Sequence, residues 1–163
     1  MAKVLLTDAE IRLLLDEPKI LPRSFERKSV LKPRRGHSEA QFDLGSSSDH
    51  SFCIILRQSH FNTLDFSAIL GYYLTVPQKI FLLKRYNGKS HQHTNSIEKE
   101  TFYDFHIHEA TERYQAMGCN EERYAVATAR YSTLPQAFDC LVSDCHLLPE
   151  DDDSGQMTLL PKI

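Results

Sequence analysis

The stretch SFCIILRQSHFNTLDFSAILGYYLTVPQKIFLLKRYNG, residues 51–88, decides the fold. It contains three apolar runs rich in β-branched and aromatic residues, SFCIILRQS (51–59), FSAILGYYL (66–74) and KIFLLKRY (79–86), the composition of strands. The links between them, FNTLD and VPQ, are too short to hold a crossover helix. Consecutive strands joined this way run antiparallel. Asn87-Gly88, a strong turn dipeptide, closes the third run. Upstream, SEAQFDL (38–44) reads as another strand, followed by the turn GSSSDHS; downstream, ETFYDFHIH (100–108) supplies a fifth. A curved antiparallel sheet of about five strands follows, with one face needing cover.

Helices at both ends provide that cover, which makes the class α+β. Thr7-Asp-Ala-Glu10 is a capping box, and Ile11, Leu14 and Leu15 form a helical stripe behind it. Pro18 and Pro22 stop the helix, so it spans roughly residues 8–16. EATERYQAM predicts a helix from about Glu109, ended by Gly118 at C′. STLPQAFDCLVSDCHLL predicts another, capped by Ser132, with Pro135 in its first turn and Leu134, Phe138, Leu141, Val142 and Cys145 at helical spacing. The 163 residues fit one domain over residues 1–149: a helix and basic connector (1–35), then sheet and helices (36–149). Residues 150–163 form an acidic tail.

No run approaches about 18 apolar residues, so no membrane span is expected. Acids interrupt the apolar N-terminus MAKVLLTDAEIRLLLDE, and a cytoplasmic location is expected. Cys53, Cys119, Cys140 and Cys145 form no C-x-x-C pair, which points to reduced thiols without disulfides. The net charge of -3 hides an asymmetry. Residues 1–89 carry fourteen Lys/Arg against nine Asp/Glu, and residues 90–163 carry five against thirteen. Residues 19–35 hold seven basic residues and one acid; Arg27, Lys28, Arg34 and Arg35 are the candidates there for nucleic acid or an acidic partner.

Four of the eight histidines lie within eighteen residues, as two His-x-His pairs: His91 with His93, and His106 with His108. If TFYDFHIH is extended, Phe102, Asp104, His106 and His108 share one face and Tyr103, Phe105 and Ile107 the other. The histidines then point away from the core. If the strands at 79–86 and 102–108 are neighbours, all four histidines converge near Arg85 and Lys89. Two imidazoles supply a base and an acid near neutral pH, and Arg or Lys stabilises the charge that builds on a phosphate. That set suits RNA cleavage without a metal or other cofactor, with His106, His108, His91 and His93 catalytic and Arg85, Tyr86, Lys89, Asn95 and Asp104 binding substrate. Metal binding requires three or four ligands around one point, and the sequence reading expects none. His91, His93 and Glu98 have the H-x-H-x4-E spacing of cupin metal sites, without the glycine and proline landmarks. His37, His50, His60 and His146 read as surface or turn residues.

RQSHFNTLDFSAILGY, RYNGKSHQHTNSIE, FYDFHIHEATERY and RYSTLPQAFDCLVSDC resemble an uncharacterised prokaryotic domain family. The order Arg-Tyr-Asn, a following His, Phe-x-x-His-x-His and a C-terminal helix is similar to the TumE-type toxins of toxin–antitoxin pairs. That resemblance aligns Arg85, Tyr86, Asn87, His91, His106 and His108 with the toxin pattern; His93 is additional. It implies a small sheet-containing toxin acting on RNA and restrained by an antitoxin-like partner. Two other readings stand beside it: a non-enzymatic inhibitor from a phage or plasmid anti-defence system, and a metal-dependent enzyme built on the histidines.

Overall fold

The computed structural model describes residues 2–151. The chain runs α1 (Asp8–Asp16), β1 (Lys19–Leu21), α2 (Phe25–Lys28), β2 (Lys32–Pro33), β3 (His37–Leu44), β4 (Phe52–Ser59), β5 (Phe66–Leu74), β6 (Lys79–Asn87), β7 (His93–Asn95), β8 (Glu100–Phe102), β9 (His106–Glu109), α3 (Glu112–Ala116), β10 (Tyr124–Ala127), α4 (Leu134–Asp144) and β11 (Leu147–Pro149). The class is α+β. The main sheet has seven strands in the order β10-β9-β6-β5-β4-β3-β2, not five, and is open and antiparallel throughout. The meander read from residues 38–86 forms its centre. The additions are the short edge strands β2 and β10; β2 ends in Pro33, which an edge tolerates because one side of its backbone needs no partner.

ETFYDFHIH is not one strand. β8 pairs with β7 in a separate hairpin, the chain turns at Tyr103–Phe105, and β9 begins at His106. β9 lies between β6 and β10 and stays extended to Glu109. The following helix therefore starts at Glu112, where the Thr111 hydroxyl accepts the Tyr114 N–H, and no helix N-terminus abuts His108. α4 is capped by Thr133, whose side chain accepts from Gln136, and not by Ser132. α1 matches its expected span and its capping box, and Gly118 sits at φ 75° behind α3.

The basic segment is more than a connector. β1 runs parallel to β11, and Lys19 is fully buried. Its Nζ donates to the carbonyls of Leu15 (3.1 Å), Glu17 (2.9 Å) and Cys145 (3.1 Å), tying the C-terminal ends of α1 and α4 together. Of the acidic tail, Glu150 is anchored to Leu21 and Arg23; residues 152–163 lie outside the described residues. The four cysteines are free thiols, and no described helix is long and apolar enough to cross a membrane.

One face of the sheet carries the main core. Ile11, Leu14 and Leu15 of α1, Phe25 of α2 and Phe138 and Leu141 of α4 pack with Phe42, Ile54, Leu70, Leu83 and Tyr86. Phe138 lies 6.5 Å from both Phe25 and Phe42, ring centre to ring centre. Burying each such side chain stabilises the fold by about 1.5–3 kcal/mol.

A bulge decides which side chains face this core. Leu70 is opposite Lys84 and Gly71 opposite Leu82, so Leu83 is an extra residue in β6. It shifts the alternation by one. Phe81 and Leu83 face the core before it, and Tyr86 faces the core after it. Arg85 and Asn87 are thereby turned to the opposite face, beside β9. Tyr86 accordingly leaves the proposed substrate site: it is fully buried, and its hydroxyl donates to Asp144 at 2.7 Å.

Candidate metal centre

On that opposite face, ladder pairing sets side chains in rows. One row runs Glu39, Arg57, Ser67, Asn87, His106; the next runs Ile55, Ile69, Arg85, His108. His93 of the hairpin β7–β8 and Glu122 meet the far end. His93, from β7, stacks on His106 at 5.3 Å between ring centres and lies edge-on to His108 at 5.0 Å. His91 reaches the same cluster, 5.6 Å from His106. All four histidines converge as the neighbouring of β6 and β9 predicted. The exposure is different from that expected: the imidazoles of His106 and His108 do point away from the main core, but His106 is 0% and His108 and His93 are 3% exposed. Only His91 is open to solvent.

Hydrogen bonds fix the tautomer of each buried ring. His106 Nδ1 lies 2.8 Å from the Asp104 carbonyl and His108 Nδ1 lies 2.7 Å from the Glu122 carbonyl. A carbonyl only accepts, so both Nδ1 atoms carry the proton and both Nε2 atoms keep a lone pair. His93 Nε2 lies 2.8 Å from Asn95 Oδ1, so His93 keeps its lone pair at Nδ1. One ligand nitrogen from each of His93, His106 and His108 lies within 4.8 Å of the others. A tetrahedral ion with bonds of about 2.0–2.1 Å sets these nitrogens about 3.4 Å apart, so ring tilts of less than about 1 Å complete the triangle. The expectation of no metal meets here a set of three histidines that could hold one.

Electrostatics favour the neutral rings that ligation requires. Burial lowers His106 to about 4, helped by His93 and His91. Burial, with the Arg85 charge next, lowers His108 to about 2. Burial also lowers His93. Neutral imidazoles held by a second N–H are the usual form of histidine ligands to Zn, Cu, Fe or Ni. The donor set fits such an ion: three protein ligands leave one position free.

The remaining expected site residues separate. Asn95 is fully buried and does not face substrate. Its Oδ1 accepts from Ala125 N (2.9 Å) and from His93, and its Nδ2 donates to Ala125 O (2.7 Å). It satisfies the open edge of β10 and orients His93 at once. Arg85 stays at the site, paired with Glu122 at 3.4 Å, and its enclosed Nε has no hydrogen-bond partner among the described residues. Burial lowers the Arg85 pKa. Lys89 and Asp104 lie on the rim, 4.0 Å apart. It is the backbone of Asp104, not its carboxylate, that holds His106. Glu98 bonds Arg113 and Tyr114, outside the cluster, so the cupin-like spacing brings no ligand. Arg27 and Lys28 are on α2, which packs on the core face, whereas Arg35 lines a groove on the histidine face. Arg34 is exposed beside it.

Only the toxin layout points to Asn87; the reading from the residues themselves passes over it, as it does Ser67 and Glu122. Asn87 reads as a turn residue, yet it ends β6 and is 7% exposed. Its Oδ1 accepts the Ser67 hydroxyl at 2.7 Å, and its Nδ2 lies 3.3 Å from His108 Nε2 and 3.5 Å from His106 Nε2. Gly88 follows because a Cβ there would sit 1.9 Å from the Leu64 carbonyl oxygen. No protein-family model matches the chain, nor does any curated protein or solved structure.

Proposed function

We propose that His93, His106 and His108 hold a transition-metal ion and that the protein is a metal-dependent enzyme. The observation that carries this reading is the convergence of His93, His106 and His108, three buried imidazoles that each have one ring nitrogen tied to an acceptor. A divalent ion bound there supplies Lewis acidity and lowers the pKa of a coordinated water. The chain's own residues orient the ligands and exclude bulk solvent. The test is titration of chelator-treated protein with Co²⁺, followed by d–d absorbance and calorimetry. One ion per chain, lost in His106→Leu and His93→Ala, is expected. Uptake no greater in the wild type than in a His106→Leu/His108→Leu double variant rejects the centre.

A second reading keeps RNA as the substrate and an antitoxin-like protein as the partner, as the likeness to TumE-type toxins implies. Its support here is Arg85, a cation beside His108 with a free buried donor. The metal-free form of that chemistry needs a protonated imidazole at neutral pH, and burial opposes this at His106 and His108. An RNA-cleaving activity at this site is therefore better matched to a metal. Induced expression of wild type and His108→Leu, with growth and total RNA followed, tests it. Normal growth and intact RNA with soluble wild-type protein present count against the toxin.

A further inference from the structure

We infer that the substrate presents an oxyanion to the metal centre, gripped by Asn87 and Arg85. The inference rests on the metal reading and names the class of ligand at the same site. It follows from counting hydrogen-bond donors. In the metal-free chain the Asn87 amide donates towards the lone pairs of His106 and His108. The orientation of that amide is set by its other atom, since Oδ1 accepts the Ser67 hydroxyl. Once those two lone pairs coordinate an ion, both acceptors are gone. The Asn87 N–H groups are then left without partners in a position 7% exposed. Arg85 contributes a third donor, the enclosed Nε already lacking a partner. A buried donor left unsatisfied destabilises the site that holds it. The acceptor that satisfies these donors and fills the open coordination position together is an oxygen-bearing anion.

Space for the rest of such a molecule is adjacent. A groove of about 600 Å³ starts at Ser67, the hydrogen-bond partner of Asn87, and is lined by Arg57, His37 and Arg35. Its acids are Glu39 and Asp65; Glu39 is engaged by Arg57 at 2.9 Å and His37 at 3.4 Å. The shared chemistry of a phosphate ester and a carboxylic acid is the oxyanion head. The groove's arginines hold either one.

The experiment reads two steps in order on the full chain. Co²⁺ uptake is measured first, then the Co²⁺ spectrum and heat are followed as inorganic phosphate or acetate is added. The expected result is anion binding by the Co²⁺-loaded protein that is at least about tenfold weaker in the metal-free protein. Asn87→Ala should retain Co²⁺ affinity, since the amide competes for the ligand lone pairs, but lose at least about tenfold in anion affinity, the equivalent of one hydrogen bond to a charged group. Arg85→Lys, which keeps the charge and removes Nε, should lose affinity in the same direction. Phosphate binding more tightly than acetate points to phosphate esters, and the reverse to carboxylic acids. Absence of Co²⁺ uptake rejects the metal centre and this inference with it. Uptake without any anion response, or Asn87→Ala weakening Co²⁺ and anion alike, rejects this inference alone, the second outcome marking Asn87 as a metal ligand.

Discussion

On one face of the main sheet, Phe42, Ile54, Leu70 and Leu83 lie beneath α1, α2 and α4. On the other, His106, His108 and Asn87 lie beneath the small hairpin β7–β8. Both sets are buried to a similar degree, but burial does different work on each. Apolar burial is a driving force for folding. Enclosing imidazoles depresses their pKa values, and so weakens the fold wherever the unfolded chain would hold the protons. A chain selected for stability alone has no use for the second arrangement. That contrast is the physical reason to assign chemistry to the histidine face.

Substitution at matched burial is the strongest way to break the contrast. Phe138→Ala should lose about 3–5 kcal/mol, because it empties a packed position between Phe25 and Phe42. His106→Leu should cost no more than about 2 kcal/mol, since the lost bonds have partners near solvent or in the same cluster. It should nevertheless abolish uptake of one Co²⁺ per chain. Denaturant midpoints of the metal-free proteins, beside their Co²⁺ titrations, measure both. Equal losses of stability would erase the distinction between the faces.

The two faces should also weaken in different pH windows. An unfolded histidine takes its proton near pH 6.5, whereas folded His106 does so near 4. Between these values the unfolded chain binds more protons. The His106 contribution is thus complete above about pH 6.5 and falls as pH drops towards 4, by on the order of 2–3 kcal/mol, with His108 adding to the same slope. Asp144 belongs to the core side, where hydrogen bonds from Arg130 and Tyr86 overcome its burial and lower its pKa. Its contribution is present above about pH 4 and is lost only below that. Chemical denaturation of the metal-free protein from pH 7 to 3 should show both slopes. The upper one should shrink in His106→Leu/His108→Leu.

Asn95→Ala sharpens the comparison further, because Asn95 serves the histidine face alone. It removes a buried amide and leaves Ala125 unpaired at the β10 edge, for a cost of about 1–3 kcal/mol. Loss of the orienting bond to His93 should weaken Co²⁺ about 10–100-fold. Unchanged Co²⁺ affinity would mean that His93 is held by the hairpin alone. The smallest effect should come from Thr7→Ala, which removes the capping hydroxyl of α1 on the core side. A loss of about 1 kcal/mol in thermal or chemical denaturation is expected, with Co²⁺ affinity untouched.

Much of the core face is legible from sequence. The runs at 52–59, 66–74 and 79–87 and the Thr7–Glu10 box combine period and cap chemistry, which are local signals. The gathering of four histidines also follows from adjacency of β6 and β9. What escapes the sequence is non-local. β7, β8 and β10 are short, and their pairings depend on partners distant in the chain. Asp104 and Tyr103 break the FYDFHIH alternation, which on paper continues unbroken. Whether the histidines are exposed depends on where the hairpin folds, and no periodicity encodes that. The faces that Tyr86 and Asn87 take rest on another non-local feature, the register shift in β6.

That shift makes the site depend on chain length as well as on composition. Inserting one residue into β6 directly after Leu83 would add a second shift and exchange the sides of residues 84–87. Tyr86 would turn towards the histidines, and Arg85 and Asn87 into oil. No single substitution produces that exchange. In a lineage drifting by point changes, the cluster can lose members one by one while its frame persists. A one-codon insertion removes the frame in a single event, and all the side chains needed for it would still be present in the sequence.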